Sequence, residues 1–237
     1  MPEGQIHLSV DPESGTTNLS EKDVANMSPT SALSWDRAKS ILRLPEEVSK
    51  LRVLDVGAGA SDITAALLSQ GADAYAVDPK YNSKSNIRGQ IQAQLKTPYY
   101  ADRKREVQET LERFMESIKT NPDHYKTAMG TNMPFSDDFF DVVFSLGAIS
   151  GYLDVDRNLF LAAIQECLRV LKPGGTLQLM PFLDRISSQP EGINQLRLSN
   201  NAYVKNWLEK NPQIAEVSVN ETNLGGQHLL IATTHLQ

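Results

Sequence analysis

Two glycines and a downstream acid are the residues of this chain best placed to do chemistry. The apolar run 53–56 ends in Gly57-Ala58-Gly59, and an amphipathic helical pattern begins a few residues later. Glycines in such a turn can adopt a positive φ and let a ligand approach the backbone. The next apolar run ends at Asp78, about 20 residues on, where a carboxylate can accept both hydroxyls of a ribose. The pair predicts a site for an adenosine-containing cofactor.

The residues around the glycines indicate which cofactor is expected. A dinucleotide-binding turn needs a third glycine, but Asp62 stands at that position, where its negative charge would oppose a pyrophosphate. The turn is instead preceded by an acid, which gives the pattern Asp55-x-Gly57-x-Gly59. Ser61 is expected to cap the following helix, with Asp62 in its first turn. A nicotinamide dinucleotide is therefore disfavoured.

The order of predicted elements indicates how these residues are positioned. Strands are expected at residues 51–56, 74–78, 125–129, 141–146, 176–181, 215–220 and 228–233, and helices at 34–44, 61–70, 156–171 and 202–210. This order predicts an α/β fold, with a doubly wound, mostly parallel seven-stranded sheet, an antiparallel last strand and helices on both faces. Apolar residues recurring between positions 107 and 118 predict an extra helix inserted after the second strand.

Several segments in this order resemble one enzyme family. The acid-glycine pattern at 55–59 resembles motif I of the class I, Rossmann-like S-adenosylmethionine-dependent methyltransferases. Residues 133–143 are similar to the segment that leads into that family's fourth strand. Residues 168–177 are similar to its helix, Pro-Gly-Gly turn and fifth strand, in the manner of methyltransferase domain 11. The resemblance covers roughly residues 33–182 and implies S-adenosylmethionine as cofactor.

The resemblance also implies roles for individual residues. Asp55 would support the loop and the cofactor's amino group, and Asp78 would take the ribose hydroxyls; the simpler alternatives are a turn-stabilising acid and a surface carboxylate. Many relatives place an acid near position 129 for adenine, so here adenine would rest on the backbone of Met129 and Gly130. The expected cofactor contacts are Asp55, Gly57, Ala58, Gly59, Asp78, Pro79, Met129, Gly130 and Ser145.

The acceptor pocket is less defined in the sequence. Trp35, Tyr152 and Arg185 are its candidates, although an exposed tyrosine and a solvated Asp184–Arg185 pair are simpler interpretations of the last two. A general base cannot be named, and an amine or phenolate acceptor need not have a strong one. The insertion, residues 81–121, is expected to pack across the site as a lid or wall. The alternatives are a helix on the sheet flank or in a dimer interface.

Composition limits the function classes. The chain has 237 residues, a net charge of −6, one cysteine and four scattered histidines. This predicts one domain over residues 31–237, no metal site and no disulfide framework, and it disfavours nucleic acid as a partner. No apolar run is long enough to span a membrane and the polar start is unlike a signal peptide, so a cytoplasmic location is expected. Residues 1–30 are expected to form a flexible arm that orders over the cofactor.

The expected function is in-line methyl transfer from S-adenosylmethionine to a small-molecule acceptor. A single compact core and an excess of acidic over basic residues favour this hypothesis. A protein or RNA methyltransferase and a non-catalytic S-adenosylmethionine-binding protein stay open as alternatives. The sequence indicates neither the acceptor nor the oligomeric state.

Overall fold

A single sheet organises the protein. The computed structural model describes residues 10–11, 14–18, 20, 32–82, 84–96, 102–184, 190–222 and 227–236. A small pair is formed by β1 (Val10–Asp11) and β2 (Thr16–Thr17). The main strands are β3 (Arg52–Val56), β4 (Asp73–Val77), β5 (Tyr125–Lys126), β6 (Phe140–Leu146), β7 (Leu171–Met180), β8 (Ile214–Glu221) and β9 (His228–Thr234).

Seven helices connect and cover these strands in the described part of the chain. They are α1 (Trp35–Ala38), α2 (Ile63–Ser69), α3 (Lys84–Gln94), α4 (Lys104–Thr120), α5 (Ile149–Tyr152), α6 (Arg157–Val170) and α7 (Glu191–Lys210). Short 3-10 turns lie at Pro79–Asn82, Pro122–His124 and Leu153–Val155. Of the helices in these segments, none is long and apolar enough to cross a membrane.

The strand order confirms the predicted fold. The order is β5-β4-β3-β6-β7-β9-β8, with β3 to β7 parallel and β9 antiparallel to both its neighbours. The chain leaves β3 toward β4 on one side and returns to β6 on the other. This change of direction opens a crevice at the carboxyl ends of β3 and β6, which is where open α/β sheets bind ligands.

Some element boundaries differ from the prediction. The short helix expected at 202–210 is the end of α7, which has 20 residues. Its first half is hard to recognise because it buries polar side chains such as Asn194, Arg197 and Asn200, which hide the period of the apolar residues. The helix expected at 34–44 shrinks to the four residues of α1, and β5 has two residues rather than five.

The inserted helix α4 packs on the flank of the sheet. Its apolar stripe is buried, and the Phe114 ring lies 5.8 Å from the Tyr81 ring and 5.9 Å from the Tyr125 ring, centre to centre. Ala58 and Ala60 belong to the same apolar cluster, so α4 supports the glycine turn from outside. This packing favours the flank alternative, because the edge beyond β4 supplies the apolar surface that the stripe covers, and closure of α4 over the site stays a prediction.

The N-terminal region is partly docked, although the sequence predicts a flexible arm. The carbonyl of Gly15 accepts hydrogen bonds from the amide of Arg157 (2.9 Å) and from the Asn200 side chain (3.1 Å). The amide of Thr17 donates to Asp156 at 2.6 Å. These contacts tie the turn after β1 to α6 and α7. Ordering of the arm over the cofactor stays a prediction, since residues 1–9 and 21–31 lie outside the described segments.

Candidate cofactor site

The glycine loop, residues 57–60, follows β3 and is pinned to the end of β4. Gly57 and Gly59 have φ angles of 73° and 58°, in the left-handed region that favours glycine. The amides of Gly57 and Ala58 donate to the carbonyl of Val77 at 2.8 and 3.2 Å. A Cβ atom added to Gly57 would lie 2.1 Å from the Cβ of Ala148. Glycine at position 57 is therefore required both by its backbone angle and by its neighbour.

Asp78 lies directly after β4 and faces this loop. It is 7% exposed, and its carboxylate accepts hydrogen bonds from the amides of Gly59 (3.0 Å) and Lys80 (2.8 Å). Burial raises the pKa of Asp78, and the two backbone donors partly oppose that rise. Each carboxylate oxygen can accept more than one hydrogen bond. Asp78 therefore keeps acceptor capacity suited to two ribose hydroxyls.

Asp55 is the second buried acid of the site. It is 3% exposed, and it accepts a hydrogen bond from the Ser61 hydroxyl at 3.2 Å. Burial raises the pKa of Asp55 to about 8; the Ser61 hydroxyl opposes the rise, and the Asp78 carboxylate adds to it. A buried carboxylate with this environment is stabilised by a nearby cation. The residue fits the ammonium group of an amino-acid-like ligand.

The expectations for Ser61 and Asp62 are corrected. Helix α2 begins at Ile63, and Ser61 donates to Asp55 rather than capping the helix. Asp62 turns away from the loop: it accepts hydrogen bonds from the amide of Trp35 (2.6 Å) and from Nε of Arg113 (2.5 Å). Arg113 neutralises this carboxylate, so the charge of Asp62 does not argue against a pyrophosphate. The missing third glycine still argues against a dinucleotide-binding turn.

The other predicted cofactor residues surround the same strand ends. The hydroxyl of Ser145 donates to the carbonyl of Val56 (2.8 Å) and accepts from the amide of Ile149 (3.0 Å), so this buried serine joins β3, β6 and α5. Gly130 lies beside β3, because a Cβ there would be 3.4 Å from Val56. Met129 forms an isolated bridge with Asn132 in the turn after β5. Pro79 opens the 3-10 turn that follows Asp78.

Gly147 is a residue of this edge that sequence reasoning missed. It follows β6 with a φ of 92°, its amide donates to the carbonyl of Met180 at 2.6 Å, and a Cβ added there would meet nothing within 4 Å. The glycine therefore faces open space at the carboxyl end of the sheet. A glycine directly after an apolar strand was the available signal.

The candidate acceptor residues are only partly brought together. Trp35 lies close to the glycine loop, since its backbone amide donates a hydrogen bond to Asp62. Its half-buried side chain packs on the apolar cluster around α2. Tyr152 is half-buried against the core between α5 and α6. Arg185 lies outside the described residues. Trp35 and Tyr152 therefore pack on opposite faces of the sheet.

Two polar clusters near this edge were not recognised in the sequence. Nε of Arg197 donates to Asp154 at 2.9 Å, Nη2 donates to the carbonyl of Ser150 at 2.8 Å, and both ionic side chains are at most 2% exposed. The Asp184 carboxylate forms hydrogen bonds with the backbone amide of His228 and with Nδ1 of its ring. The partners are more than 40 residues apart, so no local pattern indicates them. Within the described segments, no group of side chains is arranged to hold a metal ion.

Comparison with known proteins decides the family. The family described as methyltransferase domain matches residues 54–179, which include the glycine loop, Asp78 and the strands through β7. This chain belongs to the class I S-adenosylmethionine-dependent methyltransferases. The match therefore supports S-adenosylmethionine as the cofactor of this protein.

Individual methyltransferases that are similar in sequence match a shorter part of the chain. Two ubiquinone/menaquinone biosynthesis C-methyltransferases UbiE, from Vibrio campbellii and Vibrio parahaemolyticus, are each 37% identical over 68 and 59 residues. These matches cover 27% and 25% of this methyltransferase and 24% and 21% of the relatives, so they span about a quarter of each protein.

Solved methyltransferase structures match over more of the chain at lower identity. A SAM dependent methyltransferase from Aquifex aeolicus is 17% identical, with a TM-score of 0.48 and coverage of 95% of this chain and 98% of that one. A possible histamine N-methyltransferase from Thermotoga maritima is 15% identical, with a TM-score of 0.47 and coverage of 84% and 86%.

Proposed function

We propose that this protein transfers the methyl group of S-adenosylmethionine to a small-molecule acceptor. The observation that carries the proposal is the pair of buried acids, Asp55 and Asp78, on either side of the glycine loop. Both acids are buried and keep acceptor capacity beyond the hydrogen bonds they make within the protein, and a buried polar group favours a ligand that completes its environment. An ammonium group and a ribose on one small ligand would complete both.

Each buried acid has a distinct proposed role. Asp55 binds the ammonium group of the cofactor, which lowers the pKa of the carboxyl from its raised value of about 8. Asp78 accepts the two ribose hydroxyls while Gly59 and Lys80 hold its carboxylate in place. When bound, the cofactor supplies an electrophilic methyl group on a sulfonium. The task left to the protein is alignment, which can contribute about 7–11 kcal/mol to lowering the barrier.

Adenine is proposed to rest on the turn after β5. Met129 and Gly130 offer backbone groups and one apolar side chain there, and the turn lies against Val56 at the end of β3. Ser145 acts indirectly in this proposal, because its hydroxyl is shared between Val56 and Ile149 and so holds the loop and α5 together. Gly57, Ala58, Gly59 and Pro79 complete the proposed cofactor contacts.

The acceptor is proposed to enter beside Gly147, where open space faces the carboxyl end of β6. Trp35 and Tyr152 are the proposed walls of its pocket, with Arg185 as a further candidate. A small molecule is favoured over nucleic acid because the net charge of −6 opposes a polyanion. The UbiE relatives, whose name describes C-methyltransferases of quinone biosynthesis, agree with a small acceptor.

Binding and transfer assays test the proposal. Calorimetry should show S-adenosylmethionine and S-adenosylhomocysteine binding, and much weaker binding of NAD. Methyl-labelled cofactor should then label the small-molecule fraction of a cell extract. Label found only in protein or RNA would contradict the small-molecule acceptor but leave the methyltransferase intact. NAD binding more tightly than S-adenosylhomocysteine would overturn the cofactor assignment.

A further inference from the structure

Asp184 and His228 form a hydrogen-bonded pair just beyond the sheet edge. Nδ1 of His228 lies 2.8 Å from Oδ1 of Asp184, and the backbone amide of His228 donates to Oδ2 of the same carboxylate at 2.7 Å. The Asp184 side chain is 11% exposed and the His228 side chain 41%. The carboxylate thus fixes the ring from a sheltered position while the ring itself reaches solvent. We call these two residues the dyad.

The dyad lies at the same edge as the cofactor site. Strand β9 runs antiparallel to β7, so His228, its first residue, lies where β7 ends. The amide of Gly147 bonds the carbonyl of Met180, and the amide of Phe182 bonds the carbonyl of His228 at 3.0 Å. Neighbouring strands are about 4.8 Å apart, which places the His228 backbone roughly 10 Å from β6. An acceptor lying across the ends of β6 and β7 is within reach of the ring.

The hydrogen bonds determine where the ring carries its proton. A carboxylate can only accept, so Nδ1 of His228 is the donor to Asp184. In the neutral ring, Nε2 then holds a lone pair, and none of the described residues hydrogen-bonds it. A histidine oriented by a carboxylate in this way is the usual arrangement of a general base.

We propose that His228 is the general base for the methyl acceptor and that Asp184 is its positioning residue; this rests on the proposed small-molecule methyl transfer. Nε2 takes the proton from an acceptor O–H, N–H or acidified C–H. The electron pair released on the acceptor forms the new bond to the methyl carbon, and the carbon–sulfur bond breaks with its pair on sulfur. The products are the methylated acceptor, S-adenosylhomocysteine and an imidazolium, which returns its proton to water.

This assignment specifies the acceptor class. A base is needed when the acceptor is protonated near neutral pH, as a phenol, an enol, an ammonium or a carbon acidified by a neighbouring carbonyl is. One carboxylate bonds the ring, that of Asp184, while Glu221 of β8 pairs with His228 across the ladder at the backbone level. The Asp184 carboxylate stabilises the imidazolium that forms when the ring takes the proton.

The first test compares the two histidines at opposite ends of β9. His228→Gln should lower methyl transfer to the small-molecule fraction of a cell extract by about 100-fold or more, and should remove the fall in rate at acid pH. Affinity for S-adenosylhomocysteine should change less than about twofold. His235→Gln is the matched control, because His235 is an exposed residue just beyond the opposite end of β9, and it should behave as wild type.

The second test needs no acceptor. The Nδ1–H signal of the His228 ring can be followed by NMR, with His228→Gln to assign it. Asp184→Asn should shift this signal, since it replaces the carboxylate that accepts the Nδ1 hydrogen bond, and in the transfer assay it should lower the rate without changing the affinity for S-adenosylhomocysteine. Equal transfer rates and equal pH profiles for the wild type and His228→Gln would overturn the assignment of His228 as the general base.

The experiments distinguish failure of the proposed methyl transfer from failure of the proposed general base. If the wild type labels no small molecule, the proposed function fails. The dyad is then judged by the NMR experiment alone, where an unchanged Nδ1–H signal of His228 in Asp184→Asn overturns it.

Discussion

The backbone amide of Gly59 donates a hydrogen bond to the carboxylate of Asp78 at 3.0 Å, across 19 residues of chain. This bond joins the loop after β3 to the end of β4. The second oxygen of Asp78 accepts from Lys80 at 2.8 Å, so the carboxylate is held from both sides. The same side chain that is proposed to bind ribose therefore also holds the glycine loop in place.

Replacing Asp78 with Ala should weaken cofactor binding more than it weakens folding. The change removes charge-assisted hydrogen bonds to ribose, each contributing roughly 1.5–3 kcal/mol at most, and frees the Gly59 amide. We expect the dissociation constant for S-adenosylhomocysteine to rise about tenfold to a few hundredfold. Isothermal calorimetry measures this directly. Asp73→Ala, at the opposite end of β4, serves as the control, and an unchanged constant in folded Asp78→Ala would place the ribose elsewhere.

The raised pKa of Asp55 makes both cofactor affinity and stability depend on pH. The carboxyl has a pKa of about 8 in the folded protein and about 3.9 in the unfolded chain, so the folded state holds the extra proton between these values. The free energy of unfolding should therefore fall as the pH rises toward 8. The proposed contact with the cofactor's ammonium group needs the Asp55 carboxylate, so the affinity for the cofactor should rise over the same pH range.

Asp55→Asn separates these two effects. The amide cannot ionise, so the variant should lose the pH dependence of cofactor affinity and bind S-adenosylhomocysteine more weakly above pH 8. Without ligand, it should be more stable than wild type at that pH, as measured by urea unfolding. A variant that is less stable than wild type above pH 8 would show that Asp55 supports the loop as a carboxylate.

The strands and the two strand-end acids could be predicted because their signals are local. A parallel strand buried on both faces is an apolar run, and the residue just after it lies at the ligand edge whatever the rest of the fold does. The direction of Asp62 could not be predicted in this way. Its partners, Trp35 and Arg113, come from elements 27 and 51 residues away.

The acceptor side was harder to predict for the same reason. Asp184 and His228 are 44 residues apart, and each alone is an ordinary loop or strand-end residue. The register of β7 and β9 brings them together, and these two strands are separated in the chain by α7 and β8. The position of α4 was hard to predict because an apolar stripe indicates that a helix is buried but not which surface buries it.

The buried ion pair between Arg197 and Asp154 should be needed for folding. Burial raises the pKa of Asp154, while its hydrogen bond with Arg197 opposes the rise. Arg197→Leu leaves the buried carboxylate uncompensated and should lower the free energy of unfolding by about 3–5 kcal/mol. Urea denaturation of this variant, of Asp154→Leu and of the double variant gives the coupling energy. Lys39→Ala, which breaks an exposed ion pair with Asp36, should have a much smaller effect.

Phe114→Ala distinguishes a structural helix α4 from a lid. Phe114 is fully buried against Tyr81 and Tyr125 on the sheet flank, so its truncation leaves a cavity and should lower the free energy of unfolding by about 3–5 kcal/mol. Methyl transfer measured well below the lowered melting temperature should stay close to wild type. Met115→Ala, at a half-buried neighbour on the same helix, should destabilise less. Loss of acceptor turnover with unchanged stability in Phe114→Ala would instead mean that α4 closes over the acceptor.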